Sequence, residues 1–307
     1  MNSVICIGEV MAELSGLKAS GSAHVGFGGD TANTAIYLSR LAVGQAKIGY
    51  LTRLGDDVFG QRIAESLREE GVELPLGLIC PDRQTGLYAI ALSQSGERSF
   101  SYWRSDSPAR ELLTGAHAKA ETAFAQRFAA LYISGISLAI MSREGRENLL
   151  SLAREFRADG RVVMLDLNHR AALWEKSNYF CQIAEIYNEF ITVSSVIKAG
   201  LDELDAVFSP NSATKHAAKI HKLGAEIILI SRDLDGLDVF HADSCQTVVP
   251  AAVANAVDTT AAGDSFNAGF LHEYLQSQQI LTAVRAGQAL AARVVMHQGA
   301  IIPLTEM

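Results

Sequence analysis

The chain has no block of lysine or arginine, no close pair of cysteines and no long apolar run, and each absence closes off a kind of function. Basic residues number 26 against 34 acidic ones, for a formal net charge of −8. Without a basic patch, neither nucleic acid nor an anionic membrane is an expected partner. The four cysteines (Cys6, Cys80, Cys181 and Cys245) stand far apart with no CxxC pair. They read as reduced thiols of a cytoplasmic protein, not as a disulfide frame or a zinc site. No His/Cys/Asp cluster has transition-metal spacing, and His24, His169 and His297 need no special role. No apolar run approaches the roughly 20 residues that span a bilayer. Met1 to Gly8 lacks the charged start and long apolar stretch of a signal peptide. Internal repeats and low-complexity segments are also missing.

What is present is an ordinary globular composition over 307 residues, 49% hydrophobic and 20% charged. Such a chain buries a sizeable core without staples, and 1–307 reads as a single domain. Short apolar runs at 4–7, 47–51, 131–134, 162–166, 193–198 and 226–231 read as strands. Amphipathic stretches at 31–41, 59–70, 143–158, 179–189, 214–223, 262–275 and 283–296 read as helices. This alternation predicts a doubly wound α/β fold, with a mostly parallel sheet and helices on both faces. One stretch breaks the rhythm. Residues 85–92 and 99–104, joined by Gln94-Ser95-Gly96-Glu97, read as a β-hairpin. With 12–27 it would form a small β lid, spanning about 12–27 and 84–105, over the open end of the sheet.

Two segments carry chemistry. In Asp258-Thr259-Thr260-Ala261-Ala262-Gly263-Asp264-Ser265-Phe266, small residues precede an acid and a helix follows. Small residues let the backbone approach a ligand, and a helix start offers unpaired N–H groups suited to phosphate. Asp264 there is placed to take a proton from an attacking hydroxyl. The plain alternative is an acid that caps a helix. In Gly26-Phe27-Gly28-Gly29-Asp30-Thr31-Ala32-Asn33, glycines again precede a helix, with Asp30 and Asn33 as polar partners for sugar hydroxyls. Paired glycines of this kind are usually only a turn.

The 258–270 segment resembles the signature D-T-x-G-A-G-D-x-F of the ribokinase-like (PfkB) sugar kinases, with Ala261 where most relatives have glycine. Gly28-Gly29 with Asn33 resembles that family's G-G-x-x-x-N. Arg40-Leu41 and Gly55-Asp56-Asp57-Val58-Phe59-Gly60 also fit, and the likeness runs from Gly8-Glu9 to Gly299-Ala300. The resemblance implies ATP-dependent phosphorylation of a sugar hydroxyl, with Asp264 as general base. Ala261, Ala262 and Gly263 complete the catalytic segment, and the N–H groups of the last two would stabilise developing charge. It further implies magnesium arriving with ATP, a monovalent cation in some members, and a homo-oligomer paired through lid hairpins.

Local strings resemble most the members that act on 2-keto-3-deoxygluconate, a sugar acid. They include Gly86-Leu87-Tyr88, Gly96-Glu97-Arg98, Tyr102-Trp103-Arg104 and Ser134 to Ile140. Asp166-Leu167-Asn168-His169-Arg170 and Gly299 to Pro303 extend the set. Arginine's planar fork suits a carboxylate. The expected substrate contacts are therefore Arg104 and Arg170, with Tyr88, Tyr102, Gly29, Asp30 and Asn33. Surface salt bridges are the commoner fate of such arginines. The expected nucleotide contacts are Ser231, Gly236 and Gln288, with Glu203 organising magnesium through water. Three positions depart from the family pattern here: Gly200 replaces a polar residue, Asp233 replaces a glycine, and Gln288 replaces Asn or His. The rival readings are a kinase for a neutral sugar such as fructose or ribose, and a sensor that kept the fold and lost ATP use.

Overall fold

The computed structural model describes residues 3–16, 21–92, 98–175, 177, 179–232, 235–251, 253 and 256–307. The expected turn at Gln94–Glu97 and the departure at Asp233 lie outside them. The chain opens with β1 (Val4–Ile7), β2 (Met11–Ser15), β3 (His24–Gly28) and α1 (Asp30–Ala42). It continues through β4 (Ile48–Leu51), β5 (Leu54–Gly55), α2 (Val58–Glu69), β6 (Ile79–Cys80), β7 (Leu87–Leu92) and β8 (Arg98–Trp103). Next come α3 (Ala118–Ala125), β9 (Ala130–Ser134), α4 (Gly135–Ile140), α5 (Arg143–Ala158), β10 (Val162–Asp166), α6 (Ala171–Glu175) and α7 (Ile183–Thr192). The rest comprises β11 (Val196–Gly200), α8 (Leu201–Phe208), α9 (Ala213–Lys222), β12 (Ile227–Ser231), β13 (Leu237–His241), β14 (Ser244–Val248), α10 (Ala262–Ser277) and α11 (Ile280–Val294).

The main sheet has eight strands in the order β14-β13-β12-β11-β10-β9-β1-β4. From β4 to β12 every pairing is parallel, and β13 and β14 are antiparallel. The strands are apolar on both faces, as a parallel sheet covered on both sides requires. Successive side chains of β1 enter opposite cores: Ile5 and Ile7 join one buried cluster, Val4 and Cys6 the other. α5 and α7 pack on the first side; α1, α10 and α11 pack on the second. Among the described residues, no helix is long and apolar enough to cross a membrane.

A second sheet runs β3-β2-β7-β8. It continues from β1 through Gly8-Glu9-Val10, so its root lies at the carboxyl ends of the main strands. Several boundaries differ from the sequence reading. Residues 193–195 precede the strand because the Ser194 hydroxyl bonds the Phe190 carbonyl at 2.8 Å and finishes α7. The helix expected from Tyr179 begins as a 3-10 turn at Phe180–Gln182. The β13–β14 edge hairpin is new; β14 is a polar, exposed strand whose sequence carries no apolar run.

Candidate active site

The carboxyl edge of the parallel strands collects the polar residues of the molecule's centre. β9 ends on Ser134, β10 on Asp166, β11 on Gly200 and β12 on Ser231, while Glu9 follows β1 closely. In open α/β sheets this edge is where ligands bind. α1 starts hard against it. A Cβ on Gly29 would fall on the Glu9 carbonyl oxygen, so only glycine allows this approach.

A cleft of about 560 Å³ opens between this edge and the second sheet. Gly29, Asp30, Asn33, Tyr88, Tyr102, Arg104 and Arg170 all line it, so the structure brings the seven expected substrate residues together. Their surroundings differ. Arg104 is ion-paired to Glu9, whose side chain is only 1% exposed. Tyr88 donates its hydroxyl to Glu13. Burial, then the Glu13 charge, raises the Tyr88 phenol far above its usual range, so it stays a donor. Asp30 accepts from the Ser134 hydroxyl and, at 2.9 Å, from the Asn168 amide. Burial first raises its pKa, and its hydrogen bonds only partly offset this. Arg170 is 57% exposed and sits 3.6 Å from Glu203.

Asp264 enters from the first turn of α10. Its carboxylate accepts a 2.8 Å hydrogen bond from the Asn33 amide, which ties it to the cleft wall. Solvent reaches it only in part, and protein surrounds the carboxyl. Burial first, then the Asp30 charge, pushes its pKa up to about 7, against the opposing Asn33 bond. The loop before it is braced by Asp258, which accepts from the Thr260 N–H at 2.8 Å and the Gly299 N–H at 2.9 Å. Ala261 closes the loop in the left-handed region, at φ 61° and ψ 15°. That conformation explains why glycine is the usual residue at this position.

On the far side of Asp264 lies a second group. Lys198 stands next to Gly263 and bonds Asp166 at 2.9 Å; Asn267 bonds the same Asp166 oxygen at 2.7 Å. Burial would lower the Lys198 pKa, but the Asp166 charge outweighs it and the net direction is up. Glu203 accepts from the Gly200 N–H at 3.0 Å, so its carboxylate caps α8 where the polar residue is missing. Burial and the Asp166 charge raise its pKa. Glu203, with the buried Asp166 carboxylate nearby, suits a divalent cation held largely through water. Ser231 neighbours Gly200 across β11 and β12. Gly236 packs against the Val248 carbonyl, to which Gln288 donates at 3.1 Å. The four expected nucleotide residues thus fall in two pairs, Ser231 with Glu203 at the Gly200 turn and Gly236 with Gln288 at Val248, and Glu203 also reaches Arg170 on the wall of the substrate cleft.

Glu9, Ser134, Asn168, Asp166 and Lys198 had no role in the sequence reading. Asp166 and Asn168 sit in a string already singled out for Arg170, at a strand end, which is the signal that would have found them. Lys198 gave none, since a lysine late in a strand reads as a solvated edge.

Fold and site together define an α/β protein of the ribokinase-like class. The whole chain, residues 1–307, matches the pfkB family carbohydrate kinases and belongs to that family. It is 35% identical over 308 residues to 2-dehydro-3-deoxygluconokinase of Escherichia coli K12, covering 99% of this chain and 98% of that one. The same-named enzyme of Dickeya dadantii is also 35% identical, over 309 residues, with the same coverage. The crystal structure of fructokinase with bound ATP from Xylella fastidiosa superposes with a TM-score of 0.82 at 24% identity, covering 99% and 94% of the two chains.

Replacing Ala261 by glycine relieves the left-handed strain and is expected to stabilise the protein by up to about 1 kcal/mol. A urea midpoint that rises with an unchanged slope would show it; an unchanged midpoint would show that the loop holds Ala261 without cost.

Proposed function

We propose that the chain transfers the γ-phosphoryl group of ATP to the C6 hydroxyl of 2-keto-3-deoxygluconate, giving 2-keto-3-deoxy-6-phosphogluconate and ADP. One observation carries this reading. Asp264, with a pKa of about 7, is tied through Asn33 to the wall of an arginine-lined cleft and sits in the first turn of α10 beside Gly263. The relatives named for this substrate support it.

The chemistry follows from the positions. The sugar acid lies in the cleft with its carboxylate toward the arginines and its terminal hydroxyl toward Asp264. Asp264 accepts the hydroxyl proton as the oxygen attacks the γ-phosphorus in line. The bond from that phosphorus to the bridging oxygen breaks, and ADP leaves with the electron pair. The Gly263 N–H, at the start of α10, stabilises the charge spread over the transferring group, and the Ala262 N–H, which donates to the Thr259 carbonyl at 3.2 Å, would join it by leaving that bond. Lys198 adds positive charge beside Gly263. Magnesium, bound with ATP, would neutralise phosphate charge, with Glu203 and Asp166 holding its water shell. Ser231, Gly236 and Gln288 form the bed for the nucleotide. The second sheet serves as a lid that excludes water from the closed site. Its exposed Trp103, on the strand face opposite Phe100 and Tyr102, suits pairing with a second copy in a homo-oligomer.

Asp264→Asn is expected to keep binding of the keto acid and of ATP, measured by calorimetry, while turnover falls by about 10²- to 10⁴-fold. Near-normal turnover would remove Asp264 as the base. The reaction needs Asp264 ionised, so kcat/KM should fall tenfold per pH unit below about 7. Asp30→Asn removes a neighbouring negative charge and should move that limb to lower pH. A limb that stays in place would mean the Asp30 charge does not act on Asp264.

A further inference from the structure

Three arginines line the cleft, yet their charges are not equally available to a ligand. Arg104 is matched by the buried Glu9. Arg170 faces Glu203 at 3.6 Å. Arg110 has neither an ion pair nor a side-chain hydrogen bond among the described residues. We propose that Arg110 supplies the unpaired positive charge that recognises the substrate's carboxylate, beside Arg104, whose charge Glu9 already matches although its Nε keeps no partner. This inference rests on the sugar-acid reading above.

The backbone under Arg110 is fixed. It sits in the 3-10 turn Pro108–Glu111, between the fully buried Ala109 and Leu112. Its N–H bonds the Ser107 carbonyl and its own carbonyl accepts from the Ser142 N–H, both at 3.2 Å. The adjacent acid, Glu111, is engaged elsewhere, with Arg83 at 2.8 Å. A half-buried cation without an acid loses hydration and recovers nothing until an anion arrives. In a chain of net charge −8, such an arginine on a cleft wall is out of keeping with a purely structural role.

The rest of the wall strengthens the argument. Ile136, Ala139, Ile140 and Leu173 line the same cleft. An apolar wall lowers the local dielectric and makes a charge pair stronger than it would be in water. Arg110 stands by the junction of α4 and α5, where Ser142 holds it, whereas Asn33 and Asp264 belong to α1 and α10. A substrate with one charged end and one reacting hydroxyl therefore has separate anchors for the two.

The test pairs a protein change with a ligand change. Wild type, Arg110→Met and Arg110→Lys would be assayed with 2-keto-3-deoxygluconate and with its neutral methyl ester. A charge-assisted contact predicts that Arg110→Met lowers kcat/KM for the acid by about 10- to 100-fold, mostly through KM. The ester should change less than about threefold, and Arg110→Lys should recover much of the loss. The inference is overturned if Arg110→Met leaves the acid within about threefold of wild type, or if acid and ester fall equally. A wild type that turns over neutral sugars but not the acid would sink the substrate reading as well. That outcome is separable, because it appears before any variant is made.

Discussion

The hydrogen bond between Asn33 and Asp264 joins two helices that are 231 residues apart in sequence, and the rest of the site depends on it. α1 brings the wall of the sugar cleft, and α10 brings the turn of N–H groups. Neither alone is a site. The bond also sets a limit on the chemistry. Burial and the Asp30 charge raise the Asp264 pKa, while the Asn33 amide favours the ionised form. The balance leaves a carboxyl basic enough to accept a proton yet still ionised above neutrality. A stronger stabilisation of the anion would make it a poor base, and a weaker one would leave it protonated.

Around that bond the structure distributes charge with care. Acids gather at the carboxyl edge of the sheet, and each has an answer: Ser134 and Asn168 for Asp30, Lys198 and Asn267 for Asp166, Arg104 for Glu9. This matters because an unpaired charge in a low dielectric is costly. The nucleotide side shows the same economy. Glu203 closes the start of α8 where a polar side chain is missing, and Lys198, two residues before Gly200, brings a cation to the turn.

Much of this was legible in the sequence. Apolar runs and helical periods located the parallel sheet, because a strand buried on both faces is a continuous apolar run. Glycines at 28–29 and small residues at 259–263 marked the two close approaches of backbone. The edge hairpin β13–β14 was not legible, since β14 is polar and half of its meaning lies in its partner strand. Nor was the neutralisation of Arg104 by Glu9, residues 95 positions apart. Sequence pattern finds charged residues at strand ends, but only packing reveals which of them are already spent on one another. That is why Arg110, without a motif of its own, emerged from the structure alone.

The central claim is that this site phosphorylates a sugar acid. The most direct test is ADP formation from MgATP by the unmodified protein, with 2-keto-3-deoxygluconate, fructose and ribose offered separately. The account predicts rapid ADP release with the keto acid and little with either neutral sugar. Turnover of fructose or ribose in preference to the keto acid would contradict it. So would tight binding of the keto acid without any turnover, which would make the chain a sensor.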